Sequence, residues 1–377
     1  MYLDHSATTP MSKAVLAAMQ PYFEDRFYNP SSTYLPAKEV RGELQKARAT
    51  VAEVLGAKPQ EIYFVSGGTE GNNTAIQGVL RAFPNSSVTI SGVEHDSVRK
   101  TAEAFNCSVA LSDKQGRVDM NDLRQKITDT TVLVSVMYAN NEVGTVQPIR
   151  QIASLVAEMR EARKKQGNTL PLYLHTDACQ AANYLDLHVS RLGVDMMTLG
   201  GGKIYGPKQS GVLYVSSKVD IEPLMYGGGQ ERGLRSGTEN IAGDIGFATA
   251  LRETVDMREA ETTRLSAIQT HFAKTITQMN DQFIVNGSLR YRLPNNVHVT
   301  FPGVLNETLL LQLEQAGFLA AAGSACSASH DEPSHVLRAM GISDKDAQSS
   351  LRFTFGRTTT QQDIDNLLAT LRALLSA

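Results

Sequence analysis

Short apolar runs rich in β-branched residues recur between residues 62 and 215, and helix-like stretches fall between most of them. The runs predict β-strands at residues 62–65, 87–91, 131–137, 172–176, 194–199 and 211–215. The stretches between them predict helices at residues 36–55, 70–81 and 148–165. Strands that alternate with helices favour an α/β fold with a mainly parallel sheet covered on both faces. Because such sheets bind ligands at the carboxyl ends of their strands, a functional site is expected there.

The pattern changes after a glycine-rich segment at residues 226–237. A long helical pattern covers residues 241–279, and beyond it we expect strands at residues 296–301 and 351–355 and helices at residues 306–316 and 361–375. This mixture predicts a smaller α+β domain. We expect a large domain at residues 15–255 and a small domain made of residues 1–14 and 256–377.

Composition narrows the class of protein. The chain has 377 residues, of which 42% are hydrophobic and 20% charged, as is typical of globular proteins large enough for two domains. A net charge of −3 argues against a nucleic-acid partner and against a basic membrane-binding face. The sequence shows neither a secretory signal nor an apolar run long enough to span a membrane.

Three cysteines, Cys107, Cys179 and Cys326, form neither a CxxC pair nor a metal-binding cluster. No metal centre is therefore expected. Few and scattered cysteines favour a reducing cytoplasm, where free thiols persist.

Lys203 follows three glycines, residues 200–202, directly after a predicted strand. The glycines allow a tight turn and leave room beside one amine, as covalent lysine chemistry requires. A phosphate-binding P-loop is excluded, because Met197 stands where that motif needs glycine and Ile204 where it needs Ser or Thr. A solvent-exposed loop lysine is the simpler interpretation of this motif by itself.

Other strand ends carry polar groups as well. Residues 66–70, Ser-Gly-Gly-Thr-Glu, join a strand to a helix and could form an anion-binding turn or a simple helix cap. His95 could stack on a planar ligand or be a capping or surface residue, and Asn141 could bind a ligand or belong to a turn. Asp177, with Gln180 three residues later, could hold a proton on a heteroaromatic nitrogen or cap a helix. Together with a lysine, this set meets the needs of pyridoxal phosphate.

With these motifs in order, the chain resembles the cysteine desulfurases, which belong to the class V aminotransferase group of fold-type-I pyridoxal-phosphate enzymes. The resemblance implies a large domain with a mainly parallel seven-stranded sheet and a small α+β domain. It is carried by residues 2–10, 29–32, 66–70, 140–144, 177–180, 203–208, 227–233, 235–238, 323–326 and 349–353.

The resemblance implies roles for the residues around the cofactor ring. Lys203 would form the internal Schiff base and later carry the Cα proton. His95 would stack on the ring and assist proton transfer. Asp177 would pair with the pyridinium nitrogen and Gln180 with the ring hydroxyl, and Asn141 would lie against both cofactor and substrate.

It also implies contacts to phosphate and substrate. Gly68 and Thr69 would bind the phosphate of their own subunit. Thr238 would reach the phosphate of the neighbouring subunit, which implies a homodimer. Asn141 and Arg352 would hold the carboxylate of L-cysteine, with Arg352 binding it through two hydrogen bonds.

Cys326 is the nucleophile that the resemblance implies, and it lies among small residues at positions 320–329 that can expose a thiol. Cys107 falls in a predicted loop, and Cys179 stands at a position that varies in the family. The implied reaction converts L-cysteine to L-alanine and leaves a persulfide on Cys326. A sulfur-acceptor protein, in iron–sulfur cluster assembly or tRNA thiolation, then takes the sulfur.

Two positions depart from the family pattern. Gly200 and Gly202 stand where Ser and His normally contact the phosphate. Each lost hydrogen bond to a charged group costs roughly 1.5–3 kcal/mol, which predicts weaker cofactor binding than is usual in the family. The departure keeps alternatives open: a selenocysteine lyase, another class V transaminase, or a weakly active regulatory or sulfur-relay homologue.

Overall fold

The structure is a computed structural model that describes residues 1–323 and 333–376. The strands of these residues are β1 (Ile62–Val65), β2 (Ser87–Ser91), β3 (Asn106–Ala110), β4 (Thr131–Ser135), β5 (Tyr173–Asp177), β6 (Met196–Gly200), β7 (Gly211–Val215), β8 (Ile284–Asn286), β9 (Asn296–Thr300) and β10 (Ser350–Thr354). The helices are α1 (Lys13–Met19), α2 (Leu35–Leu55), α3 (Gly68–Ala82), α4 (Asp96–Glu103), α5 (Met120–Lys126), α6 (Ile149–Lys165), α7 (Val189–Leu192), α8 (Ile241–Met279), α9 (Asn306–Gln315), α10 (His335–Ala339), α11 (Asp344–Ala347) and α12 (Gln361–Leu375).

The larger sheet has seven strands in the order β1-β7-β6-β5-β4-β2-β3. β7 is antiparallel to both of its neighbours, and all other pairs are parallel. Six strands therefore run in one direction. Their carboxyl ends meet at one edge of the sheet, which is where the predicted site residues follow their strands.

Both faces of this sheet are buried. Val212 and Tyr214 belong to one hydrophobic core, whereas Leu213 and Val215 belong to a second. Because successive side chains of a strand point to opposite faces, this alternation places one core on each side of the sheet. The arrangement confirms the predicted α/β fold with a mainly parallel seven-stranded sheet.

Three strands from the second half of the chain form a smaller antiparallel sheet in the order β10-β9-β8. The N-terminal segment joins it. The backbone N–H of Leu3 donates to the carbonyl of Leu319 at 2.8 Å, and the N–H of Thr354 donates to the carbonyl of Leu3 at 2.7 Å. These contacts lead residues 4–9 towards the carboxyl edge of the larger sheet.

Two strands and one loop assignment differ from the sequence prediction. The sequence prediction did not include β3 and β8, and Cys107 lies within β3 rather than in a loop. β3 pairs with only one neighbour at the end of the sheet, and most of its residues are exposed or half-buried. An edge strand of this kind lacks the continuous apolar run by which the central strands were recognised.

The predicted division at residue 255 stays a prediction, and α8 runs through it without interruption. In residues 1–323 and 333–376, no helix is both long and apolar enough to cross a bilayer.

Candidate active site

One cavity of about 360 Å³ lies at the carboxyl edge of the larger sheet and extends to β10. Its lining includes most of the residues predicted from the sequence: Gly68, Thr69, His95, Asn141, Asp177, Gln180, Lys203 and Arg352. The fold thus brings together groups from five strand ends and from the second sheet. Thr238 is exposed and belongs to a different surface, and Cys326 lies outside the described residues.

The turn between β1 and α3 forms a cup of backbone N–H groups. Gly67 precedes the helix with a φ of 139°, a conformation that favours glycine, and supplies no side-chain cap. The carboxylate of Glu70 turns away, accepting hydrogen bonds from the N–H of Ser66 at 2.6 Å and from Nε of Arg235 at 3.0 Å. The first N–H groups of α3 therefore face the cavity, and the helix dipole adds partial positive charge. Thr69 lies inside the helix, so the alternative in which it caps the helix is wrong.

Cys179 closes the back of this cup. A Cβ atom added at Gly68 would lie 2.7 Å from Sγ of Cys179, which is too close for any side chain larger than hydrogen. Burial raises the pKa of the Cys179 thiol well above its usual value. The thiol is therefore protonated at neutral pH and serves as a packing group rather than as a nucleophile.

Asp177 is the last residue of β5 and is almost fully buried. Its carboxylate accepts hydrogen bonds from Nδ2 of Asn72 at 2.7 Å and from the backbone N–H of Cys179 at 2.9 Å. These donors hold one orientation of the carboxylate at the cavity wall. Asn72 was not predicted from the sequence. Its only sequence signal is its position one helical turn after Gly68, since its partner lies 105 residues away.

A chain of hydrogen bonds links Asp177 to His95. Nδ2 of Asn72 also donates to Oγ of Ser97 at 2.8 Å, and that hydroxyl lies 2.8 Å from Nδ1 of His95. Nδ1 accepts from the backbone N–H of Ser97 as well, at 3.1 Å. With Nδ1 used as an acceptor, the proton of the neutral ring sits on Nε2.

Burial lowers the pKa of His95, and the charge of Asp177 opposes this effect without reversing it. The imidazole is therefore neutral at physiological pH. A neutral, fixed ring can stack on a flat ligand and can accept or return a proton. His95 is the N-cap of α4, as the capping alternative expected, but it also lines the cavity, so its interpretation as a surface residue is wrong.

Lys203 ends a single helical turn, Gly201–Lys203, that follows β6. Its Nζ donates to the backbone carbonyls of Ser6, at 2.9 Å, and of Ala7. Burial lowers the pKa of this amine, which moves it closer to the neutral form that acts as a base or nucleophile. Gln180 binds the same N-terminal segment, through a bond of 2.9 Å from Nε2 to the carbonyl of Ser6.

Arg352 lies on β10 and is only 1% exposed. Nη2 donates to Oδ1 of Asp4 at 2.6 Å, and Nη1 donates to the backbone carbonyl of Asn141 at 2.9 Å. Nε is buried without a partner among the described residues. A buried, unpaired donor of a positively charged group is suited to an incoming carboxylate.

The three glycines before Lys203 differ in the space around them. A Cβ at Gly201 would collide with Ser210 and Pro207, so only glycine fits. At Gly200 the nearest atom to such a Cβ is Sγ of Cys179 at 3.4 Å, and at Gly202 it is Cγ of Lys208 at 3.8 Å. A Cβ atom therefore fits at Gly200 and at Gly202 but not at Gly201.

The donor set fits an aromatic aldehyde that carries a phosphate. The α3 cup offers N–H groups to an anion, Asp177 offers a carboxylate to a ring nitrogen, and Lys203 offers a desolvated amine. Arg352, which lines the same cavity, adds a site for a carboxylate. These are the groups needed by pyridoxal phosphate together with an amino acid.

Known proteins resemble the chain over its length. A family model described as aminotransferase class-V matches residues 1–367. The protein named cysteine desulfurase IscS from Dictyoglomus turgidum is 37% identical over 382 residues, covering 100% of this chain and 94% of that protein. A solved structure named NifS-like protein has a TM-score of 0.90 at 30% identity and covers 100% of this chain and 99% of its own. Another, described as SspA in complex with cysteine, has a TM-score of 0.81 at 33% identity, with coverages of 94% and 98%.

Proposed function

The chain belongs to the cysteine desulfurases of the class V aminotransferase family, and from that premise we propose that it converts L-cysteine to L-alanine and transfers the sulfur to Cys326. The family resemblance read from the motifs is confirmed. The observation that carries the proposal is the single cavity in which Lys203, Asp177, His95 and Arg352 meet.

Pyridoxal 5'-phosphate is the cofactor of this family, and the residues of the cavity fit it. The N–H groups of Gly68 and Thr69 would bind the phosphate, Asp177 would pair with the ring nitrogen, and Gln180 would pair with the ring hydroxyl. His95 would stack on the ring, and Asn141 would contact both the cofactor and the substrate. When bound, the cofactor supplies an electron-withdrawing ring that makes the Cα proton of an amino acid acidic.

Lys203 moves the Cα proton. Its pKa is lowered by burial, and the carbonyls of Ser6 and Ala7 fix the position of Nζ. A positioned amine with a lowered pKa is an efficient general base. His95 is neutral and is held in place by Ser97, so it can accept or return a proton and assist the transfer.

Arg352 orients the substrate. Its unpaired Nε donates to the carboxylate of L-cysteine, together with one terminal nitrogen. Asn141 is held beside it, because its backbone carbonyl accepts from Nη1.

Cys326 receives the sulfur. The thiolate forms an S–S bond with the substrate sulfur while the C–S bond breaks, and the electron pair of that bond stays with the carbon fragment. The fragment takes up a proton and leaves as L-alanine, and Cys326 keeps a persulfide. Among the described residues, the free thiols are Cys107 and Cys179, and burial raises the pKa of both.

The enzyme acts as a homodimer in the cytoplasm, with no metal, no nucleic acid and no membrane as direct partner. Thr238 is exposed, and on this proposal it reaches the phosphate of the neighbouring subunit. A sulfur-acceptor protein, serving iron–sulfur cluster assembly or tRNA thiolation, removes the sulfur from Cys326. The few free thiols support the reducing compartment.

The proposal is tested by the absorbance spectrum of the purified protein with and without L-cysteine, and by sulfide release in the presence of a thiol reductant. We expect a cofactor band that changes on addition of cysteine, and a Lys203→Ala variant that lacks it. Cys326→Ser should keep the band but lose sulfide release, whereas Cys179→Ser should keep both.

Sulfide release that survives Cys326→Ser would contradict the proposed nucleophile and would favour a lyase without an enzyme persulfide. A higher catalytic efficiency with L-selenocysteine, retained in Cys326→Ser, would point to a selenocysteine lyase. A protein that shows no cofactor band under any condition would contradict the enzymatic assignment altogether.

A further inference from the structure

The phosphate end of the cavity has lost two side chains, and the structure shows what borders the space they leave. A Cβ at Gly202 would point to Cγ of Lys208, at 3.8 Å, and to Oγ1 of Thr8, at 3.9 Å. Lys208, Gln209 and Ser210 line the cavity together with the cup of the α3 N-terminus. Lys208 therefore borders the position of the side chain that is missing at Gly202.

Lys208 brings a charge to this end of the cavity. The lysines and arginines that line it are Lys203, Lys208 and Arg352, and Arg352 is already paired with Asp4. Nζ of Lys208 donates to the backbone carbonyl of Thr9 at 2.6 Å, and in the described part of the chain no carboxylate pairs with it. An ammonium group has three hydrogens, so it can keep this bond and still donate to an anion.

Gln209 stands in a conformation that favours glycine. Its φ is 57°, in the left-handed region, which is costly for a residue with a side chain. Among the described residues, its amide group has no hydrogen-bond partner, and it borders the cavity. Strain that a glycine would avoid is kept at functional sites when the side chain itself is needed.

We propose that the ammonium group of Lys208 and the amide of Gln209 bind the cofactor phosphate in place of the side chains absent at Gly200 and Gly202. The inference rests on the proposed function, because it assumes that pyridoxal phosphate is the ligand. A cation and an amide N–H replace the hydroxyl and imidazole that the family uses. These two groups thereby compensate for the missing contacts. Cofactor binding depends on Lys208 more strongly in this protein than it would in a protein with histidine at position 202.

The test is equilibrium binding of pyridoxal phosphate to the apoenzyme, with pyridoxal, which lacks the phosphate, as the comparison ligand. Lys208→Met should weaken binding of pyridoxal phosphate at least about tenfold, as expected for the loss of a charged hydrogen bond. It should leave binding of pyridoxal within about twofold. Lys218→Met, at an exposed lysine away from the cavity, is the matched control and should change neither.

Gly202→His supplies the decisive comparison, because an added Cβ atom at Gly202 makes only ordinary van der Waals contacts. In the Lys208→Met background it should recover most of the lost affinity, whereas in the otherwise unchanged protein it should add little. Equal gains in both backgrounds would overturn the proposal, as would an equal loss of pyridoxal and pyridoxal phosphate in Lys208→Met.

Gln209→Gly tests the second residue. It should raise the resistance of the apoenzyme to urea, since the strain is relieved, and yet weaken binding of pyridoxal phosphate several-fold. Asn85→Gly is the control for strain: Asn85 has a φ of 66° and is exposed outside the cavity, so this variant should gain stability without losing affinity. A Gln209→Gly protein that binds the cofactor as well as before would overturn the role of Gln209.

The outcomes separate this inference from the function on which it rests. If the unchanged apoenzyme does not bind pyridoxal phosphate, the proposed function fails and this inference fails with it. If it binds and Lys208→Met has no effect, only the inference about the phosphate contacts fails.

Discussion

Arg352 illustrates how a single side chain is prepared for its ligand. A guanidinium group buried to this degree needs partners, and Asp4 and the carbonyl of Asn141 supply them for the two terminal nitrogens. Nε alone is left without one among the described residues. Burying an unpaired donor costs free energy, and a bound carboxylate would offset that cost by accepting a hydrogen bond from Nε. Because the guanidinium group is planar, its donors would also fix the orientation of the carboxylate.

Arg352→Lys keeps the charge but loses the planar fork. We expect the KM for L-cysteine to rise about 10- to 100-fold, corresponding to roughly 1.5–3 kcal/mol for a charged hydrogen bond. Steady-state kinetics with cofactor-saturated enzyme measure this. Arg124→Lys is the control. It changes an exposed arginine that donates two hydrogen bonds to the carboxylate of Glu158, and it should leave the KM unchanged. A KM within twofold of the unchanged enzyme in Arg352→Lys would show that another group binds the carboxylate.

Glu94 is a buried acid next to His95, and burial raises its pKa from 4.5 to about 8. Oε1 accepts from the Ser91 hydroxyl and, at 2.8 Å, from the N–H of Met137. The folded protein thus keeps a proton that the unfolded chain releases above pH 4.5. Stability from this group is fully present below that pH and is lost as the pH rises towards 8, by at most about 1.4 kcal/mol per pH unit.

Glu94→Gln removes this pH dependence, because the amide cannot ionise and its oxygen still accepts both hydrogen bonds. Urea unfolding of the two apoproteins at pH 5.5 and 7.5 measures this. The free energy of unfolding of the variant, relative to that of the unchanged protein, should be about 2–3 kcal/mol higher at pH 7.5 than at pH 5.5. A stability difference that is the same at both pH values would mean that Glu94 ionises normally in the folded protein.

At the scale of elements, the turn from β1 to α3 determines how an anion is received. Gly67 provides the positive φ, and Gly68 leaves space for the thiol of Cys179 behind the first N–H groups of the helix. The fit depends on one close contact, so it can be broken and restored by two substitutions.

Gly68→Ala should weaken binding of pyridoxal phosphate at least about tenfold, since the new methyl group meets Sγ of Cys179 and displaces the turn. Cys179→Ala alone should have little effect, and the double variant should recover most of the affinity, because among the described residues outside the surrounding turn and helix backbone that sulfur atom is the one neighbour within 4 Å of the added Cβ. Binding to the apoenzyme measures all three. Gly42→Ala, on an exposed helical position with free space, is the control.

If the double variant binds pyridoxal phosphate no more tightly than Gly68→Ala does, the contact with Cys179 does not determine how the cup binds the anion.

The elements that could be predicted from the sequence are those with a continuous local signal. The strands at Ile62–Val65, Ser87–Ser91 and Gly211–Val215 were predicted with their observed bounds, because both faces of each are buried or nearly so. Helix α8 was also predicted with its observed bounds. β3 was missed because it is an edge strand with a weak apolar run.

The partners within the site could not be predicted in the same way. Asn72 meets Asp177 across 105 positions, and Lys203 meets the carbonyl of Ser6 across 197. No local pattern encodes such a pairing, and a backbone carbonyl has no side-chain signature. The predicted strand ends indicate which residues lie at the edge of the sheet, whereas the structure is needed to show which of them contact each other.

At the scale of the whole molecule, the N-terminal segment ties the two sheets together at the cavity. Leu3 pairs with the second sheet, whereas the carbonyls of Ser6 and Ala7 receive the amine of Lys203. Thr238, by contrast, is exposed and does not line the cavity of its own chain. A second copy of the chain is needed if Thr238 is to reach a phosphate.

Mixed dimers test this arrangement. A Lys203→Ala subunit still carries Thr238, and a Thr238→Asp subunit still carries Lys203 but places a carboxylate against the phosphate of its partner. If Thr238 acts across the interface, the mixed dimer has one complete site and should show about half the unchanged activity per dimer.

Each homodimer should have little activity. Differently tagged subunits, purified as the mixed dimer, allow the measurement. A mixed dimer as inactive as the two homodimers would place Thr238 in the site of its own subunit, or outside any site.

The central claim is that Lys203 carries the cofactor, and reduction with borohydride followed by peptide mass mapping tests it most directly. Borohydride converts the bond between cofactor and lysine into a stable pyridoxyl group. We predict this group on the peptide that contains Lys203, and its loss after prior reaction with L-cysteine. Lys208 lines the same cavity five positions along and serves as an internal control. A pyridoxyl group on Lys208, or on no lysine at all, would contradict the account.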